Sequence, residues 1–90
     1  MNALIEEKLD MLADLCRNYS VNRLELFGSG ATDSFDLNTS DLDFLVAFKP
    51  ATPVVHAERY LGLLAAVQDL FGRNIDLVEI GAIRNPYFME

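Results

Sequence analysis

Basic residues are scarce in this sequence: seven Lys and Arg stand against fourteen Asp and Glu, a formal net charge of −7. A domain that grips long nucleic acid normally presents a basic footprint to the phosphates, and none is visible here. An extended nucleic-acid partner is therefore not expected. A small phosphorylated substrate escorted by metal, or a basic protein partner, fits the charge balance better. Cysteine is nearly absent too. The lone Cys16 permits no internal disulfide and no cysteine metal cluster, which fits a reducing, cytoplasmic setting. No apolar run approaches the roughly 18 residues of a membrane-crossing helix, so no membrane partner is expected. The stretch from Met1 to Lys8 carries acids early and is amphipathic, which is not the pattern of a signal peptide. Five Gly and three Pro are too few for a disordered or collagen-like chain.

What remains is the composition of a foldable globular protein, 51% hydrophobic and 23% charged over 90 residues. That length makes one small domain, spanning 1–90. A chain so short hides only about 60–65% of its potential surface, so its core is marginal and association would help it. Residues Ala3 to Tyr19 read as one helix with Ile5, Leu9, Leu12, Cys16 and Tyr19 at three- and four-residue spacing. Leu4, Met11 and Leu15 widen that stripe, and Asn2 is placed to cap it. Asn22 to Phe27 reads as a short strand. Leu42 to Phe48 is almost wholly apolar after its acidic start, as expected of a central strand covered on both faces. Thr52 or Pro53 opens a second long helix to about Phe71, with a stripe of Ala57, Leu61, Leu64, Gln68 and Phe71, and Gly72 stops it. Asn74 to Ile80 is a third strand. Helices and strands alternate, and the class is α/β or α+β. The tail through Asn85, Pro86, Tyr87, Phe88 and Met89 leaves three readings open: packing back, an interface, or a longer chain.

The chemistry concentrates around two short runs. Leu26-Phe27-Gly28-Ser29 sets a Gly-Ser turn after the first strand, and Thr39-Ser40-Asp41-Leu42-Asp43 sets two carboxylates at alternate positions of the next. Alternate side chains of a strand share a face, so Asp41 and Asp43 are expected to point the same way. Two like charges leading into a buried strand are costly unless something positive sits between them. A divalent metal suits the place, because hard cations take carboxylate oxygens and magnesium usually arrives with phosphates. Asp76, in Asn74-Ile75-Asp76-Leu77-Val78, is placed to complete the site. Gly28 would let backbone approach a phosphate while the Ser29 hydroxyl and nearby amides take its negative charge. An ordinary turn is the competing reading there. No Gly-Lys-Ser/Thr follows, so this is not a Walker A loop. His56 reads as a surface or satisfied core histidine and Cys16 as a small hydrophobe. Lys49 and Arg73, at element boundaries, read first as solvated bases.

Taken together, these residues resemble the DNA polymerase beta-like nucleotidyltransferase superfamily, most closely its small stand-alone minimal nucleotidyltransferase (MNT-domain) proteins. The resemblance rests on Gly28-Ser29, an interval of eleven residues, Asp41-Leu42-Asp43, and a later acid at Asp76. The wording around the motif matches as well, from Leu24-Glu25-Leu26-Phe27 to Ile83-Arg84-Asn85-Pro86. It implies a small mixed sheet flanked by two long helices. It also implies that Asp41 and Asp43 hold two magnesium ions against the phosphates of a nucleoside triphosphate, ATP in the first instance. Asp76 would complete one metal site and help activate the attacking hydroxyl, while Gly28 and Ser29 would hold the terminal phosphates. Such transfer is mostly positioning and neutralisation of oxygens, which a two-metal clamp supplies. Proteins of this group are often encoded beside a HEPN-domain ribonuclease toxin and serve as its antitoxin, some by moving AMP from ATP onto a toxin tyrosine. A HEPN-domain partner is the association implied, while a homodimer is the expectation from the small core and the tail with Tyr87, Phe88 and Met89.

One departure from the group's pattern bears on activity. Members commonly carry an Arg, and often a second Gly, just after the Gly-Ser pair. This chain reads Gly30-Ala31-Thr32-Asp33-Ser34 instead. Thr32 and Asp33 remove phosphate neutralisation there and add repulsion. Two expectations stand side by side: an active magnesium-dependent nucleotidyltransferase, and a non-catalytic antitoxin-like protein that masks a HEPN ribonuclease by binding alone.

Overall fold

The computed structural model describes residues 3–27 and 42–80. The Asn2 cap, the loop 28–41 with Gly28, Ser29 and Asp41, and the aromatic tail all lie outside the described residues. In chain order the elements are α1 (Ala3–Glu7), α2 (Leu9–Asn18), β1 (Val21–Phe27), β2 (Leu42–Phe48), α3 (Pro53–Phe71) and β3 (Ile75–Glu79). The sheet runs β1-β2-β3, with β1 antiparallel and β2–β3 parallel. The expected α/β class with a small mixed sheet is what the chain adopts. Parallel neighbours need a long crossover, and α3 supplies it.

The first helix is not continuous. The Lys8 amide donates to the Ile5 carbonyl at 3.0 Å, a three-residue step that tightens the turn and divides the expected Ala3-to-Tyr19 helix into α1 and α2. Ser20 then takes a positive φ of 56°, which turns the chain out of α2 into β1. Its carbonyl accepts from the Lys49 amide at 2.9 Å, so the start of β1 is tied to the end of β2. The start and stop signals of α3 hold as expected. Thr52 is extended at the N-cap and Pro53 opens the helix, where its missing N–H costs nothing. Gly72, at φ 63°, closes it with its amide on the Gln68 carbonyl at 2.7 Å.

Leu42, Phe44 and Val46 of β2 form the centre of the core, against Leu63, Val67 and Phe71 of α3. Ile5, Leu12, Ile75 and Leu77 complete it, and the Phe44 and Phe71 rings lie 6.2 Å apart at a tilt of 34°. Three expectations are corrected. The buried stripe of α3 is Leu63, Val67 and Phe71, flanked by Tyr60, Leu64 and Leu70, whereas Leu61 is 63% exposed and Ala57 is exposed. Both stripes are legal at helical spacing and share Leu64 and Phe71; the sheet selects the one rotated toward it. Leu9 and Met11 are exposed, because α2 is covered only where it meets the sheet and α3. Finally, β2 is not covered equally on its two faces. Its helix-side residues are buried, and Asp43, Leu45 and Ala47 on the other face are only half-buried.

One outward group on the edge of β3 is met by a helix side chain. Leu42 N–H donates to the Asn74 carbonyl at 3.4 Å, which fixes the alternation of the ladder and turns the Leu77 carbonyl away from β2. There it accepts a hydrogen bond of 2.5 Å from the Tyr60 hydroxyl. No helix among the described residues is long and apolar enough to cross a membrane.

Candidate active site

The side chains flanking each acid decide where it points. Leu42 and Phe44 are driven under the helices, so Asp43 between them is turned to the opposite face of the sheet. Ile75 and Leu77 do the same for Asp76. The two acids are register partners, Asp43 opposite Asp76 on adjacent parallel strands. Register partners share a face, and neighbouring strands run only about 4.7–4.9 Å apart. On the other side of Asp43, its antiparallel partner is Phe27, 36% exposed. One row across the open face therefore reads Phe27, Asp43, Asp76.

Like charges placed directly opposite each other destabilise a sheet, by a few tenths to about 1 kcal/mol. Asp76 is exposed and Asp43 half-buried, so water relieves part of that repulsion. The donor set suits a hard divalent cation, since two carboxylates on one face can offer oxygens to a common ion. Among the described residues, no group of three or more His, Cys, Asp or Glu is arranged to hold a metal. Of the five residues expected at the site, Asp43 and Asp76 stand together; Gly28, Ser29 and Asp41 lie outside the described residues. In the chain, Gly28 follows Phe27 directly and Asp41 directly precedes Leu42.

The side chains beyond this row settle several of the lesser candidates. His56 is engaged in structure: its Nε2 lies 2.9 Å from both carboxylate oxygens of Glu79, and its ring stands edge-on to Phe48 at 5.4 Å. That contact staples the first turn of α3 to the end of β3. Cys16 is half-buried, and burial pushes its thiol up, with Arg17 opposing more weakly. Lys49 is exposed and Arg73 half-buried. Two residues near the acids were not singled out from sequence. Phe27 becomes Asp43's neighbour only through the β1–β2 register, which the alternating pattern of one strand does not reveal. Tyr60 is hidden from sequence because the stripe through Ala57, Leu61 and Leu64 leaves it one residue off the inward face, where the structure packs it against the core. Its phenol is held above the ordinary range, by burial first and then by the charges of Glu79 and Asp76.

Comparison with known proteins adds an independent line. A family model described as a nucleotidyltransferase domain matches residues 10–90. A protein of Methanocaldococcus jannaschii named "putative protein adenylyltransferase" is 36% identical over 73 residues, covering 81% of this chain and 70% of that protein. No solved structure matches the chain.

Proposed function

The chain belongs to the nucleotidyltransferase domain family, a family of transferase enzymes, and from that premise we propose a magnesium-dependent adenylyltransferase acting on a protein hydroxyl. The observation that carries the reading is the in-register pair of Asp43 and Asp76 on the open face of the sheet. Asp41, two residues before Asp43 in the sequence, is proposed with Asp43 and Asp76 as the holders of two magnesium ions. When bound, a divalent cation supplies neutralisation of the phosphate oxygens and of the departing pyrophosphate. The chain's own residues do the rest. Gly28 admits the triphosphate to the backbone, and Ser29 donates to its terminal oxygens. Asp76 takes the proton of the acceptor hydroxyl as its oxygen bonds to the α-phosphorus. The bond from that phosphorus to the pyrophosphate oxygen breaks, and AMP remains on the acceptor.

The name of the Methanocaldococcus relative supports a protein acceptor. The resemblance to MNT-domain proteins supports a HEPN-domain ribonuclease as that protein, with this chain as its cytoplasmic antitoxin and as a single minimal domain. Thr32 and Asp33, standing where the group commonly has a base, favour a second reading in which binding alone silences the toxin.

Calorimetry and mass spectrometry separate these readings. ATP is expected to bind with magnesium and not with a chelator, and Asp43→Asn is expected to remove the metal-dependent part. Mixed with the HEPN partner, magnesium and ATP, the chain is expected to add the mass of one AMP to a partner tyrosine, and Asp41→Asn to stop it. Neutralisation of the partner with no mass change, untouched by Asp41→Asn, would establish the second reading. Equal ATP binding with and without chelator would overturn the first.

A further inference from the structure

The two edges of the sheet are finished differently. On β3 the outward Leu77 carbonyl is met by Tyr60. On β1 the ladder alternation set by the Leu42–Asn74 bond directs the backbone groups of Arg23, Glu25 and Phe27 toward β2. Those of Leu24 and Leu26 are left facing outward, and among the described residues no backbone group pairs with them. An edge of this kind is a template for another strand. Beside it lies an apolar crevice of about 290 Å³, where Leu9, Ala13 and Cys16 of α2 overhang Leu24 and Leu26. This is the flank of α2 away from α3, since its other flank, with Met11 and Leu15, faces Ala66 and Leu70.

We propose that the β1 edge is an isologous interface, at which a second copy of this chain pairs antiparallel with Leu24 opposite Leu24. The choice of occupant and register comes from charge. Outward groups can pair only with outward groups, and of the two-fold axes this allows along β1 only the one beside Leu24 sets Arg23 against Glu25. Centred on Arg23, the arginines of the two copies face each other; centred on Glu25, the glutamates do. Centred on Leu24, each Arg23 faces Glu25 of the other copy, and the complementary pair occurs twice. These two side chains are 59% and 40% exposed and already share a hydrogen bond of 2.8 Å within one strand, from Arg23 Nε to Glu25 Oε1. The edge thus carries a self-complementary charge pattern. The same axis keeps both α2 helices on one side of the joined sheet, so the two crevices open onto a shared seam with Leu9 from each copy. The irregularity between Val21 and Arg23 limits the regular ladder to the five residues from Arg23 to Phe27, which bracket the axis.

The test is sedimentation velocity on the full chain over a concentration series, with two charge reversals at these exposed positions. Wild type is expected to dimerise. Arg23→Glu alone and Glu25→Arg alone each set like charges against each other, and each is expected to weaken the dimer by roughly tenfold or more. A one-to-one mixture of the two variants restores both pairs and is expected to recover the dimer. A wild-type chain that stays monomeric at all concentrations overturns the proposal. So does a dimer indifferent to both reversals, which would place the contact elsewhere. Neither readout depends on nucleotide or metal, so failure here leaves the adenylyltransferase reading standing.

Discussion

Tyr60 shows how much one hydroxyl can hold in a domain this small. It donates to the outward Leu77 carbonyl on the edge of β3, and the residue just before Leu77, Asp76, stands in the acid row on the other face of the sheet. Tyr60→Phe leaves the ring in place but removes the donor, and is expected to cost about 0.5–1.5 kcal/mol. The variant also carries a pH signature. Burial, then Glu79 and Asp76, favour the neutral phenol in the fold. The unfolded chain gives up that proton first, near pH 10. The stabilisation is therefore complete below about pH 10 and is lost as pH rises through the higher folded value. Thermal melts from pH 8 to 11 are expected to show wild type losing stability faster than Tyr60→Phe above about pH 10. Parallel losses would mean that the phenol is not held in its neutral form by this environment.

At the scale of elements, α3 was the most legible and the first helix the least. Pro53 and Gly72 act through their own backbone constraints, so the ends of α3 follow from local chemistry. Which of two apolar stripes faces inward does not, because the sheet chooses between Leu61 and Leu63 and no local rule does. The break at Lys8 carries no proline or glycine to announce it. The acids were legible for a related reason: each sits between two large apolar residues, and period two then forces it to the far face. Their pairing across strands required the register. Where α2 meets α3, Gly62 is the contact that spacing alone hides. A methyl built there would lie 2.5 Å from Cε1 of the Tyr19 ring. Glycine in a helix interior costs about 1 kcal/mol relative to alanine, so Gly62→Ala would stabilise α3 in isolation. Overpacking costs typically 1–3 kcal/mol and is expected to win, lowering the melting temperature. In a Tyr19→Ala background the same change is expected to raise it. A double-mutant cycle with no coupling between the two sites would contradict a tight α2–α3 contact.

The whole molecule carries a net charge of −7 and sets two of its acids side by side on one exposed face. Like charges set side by side are costly to a sheet, and the proposed cation would relieve that cost. The proposed cation site therefore has a stability signature separate from any reaction. A ligand that binds the folded state alone raises stability with its concentration, by about 2.7 kcal/mol at a hundred times its dissociation constant. Magnesium is expected to raise the melting temperature of wild type, and a chelator to lower it. Asp76→Asn removes one charge from the apposed pair. The metal-free variant is accordingly expected to melt higher than metal-free wild type while losing most of the response to magnesium. Stability given up for the sake of a site is the usual pattern where acids are gathered for function. A variant that melts lower in chelator would show that Asp76 serves the fold instead. One that keeps the full magnesium response would move the cation away from this row. Sodium chloride at matched ionic strength is the control, because screening alone softens repulsion across the whole surface and would raise variant and wild type together.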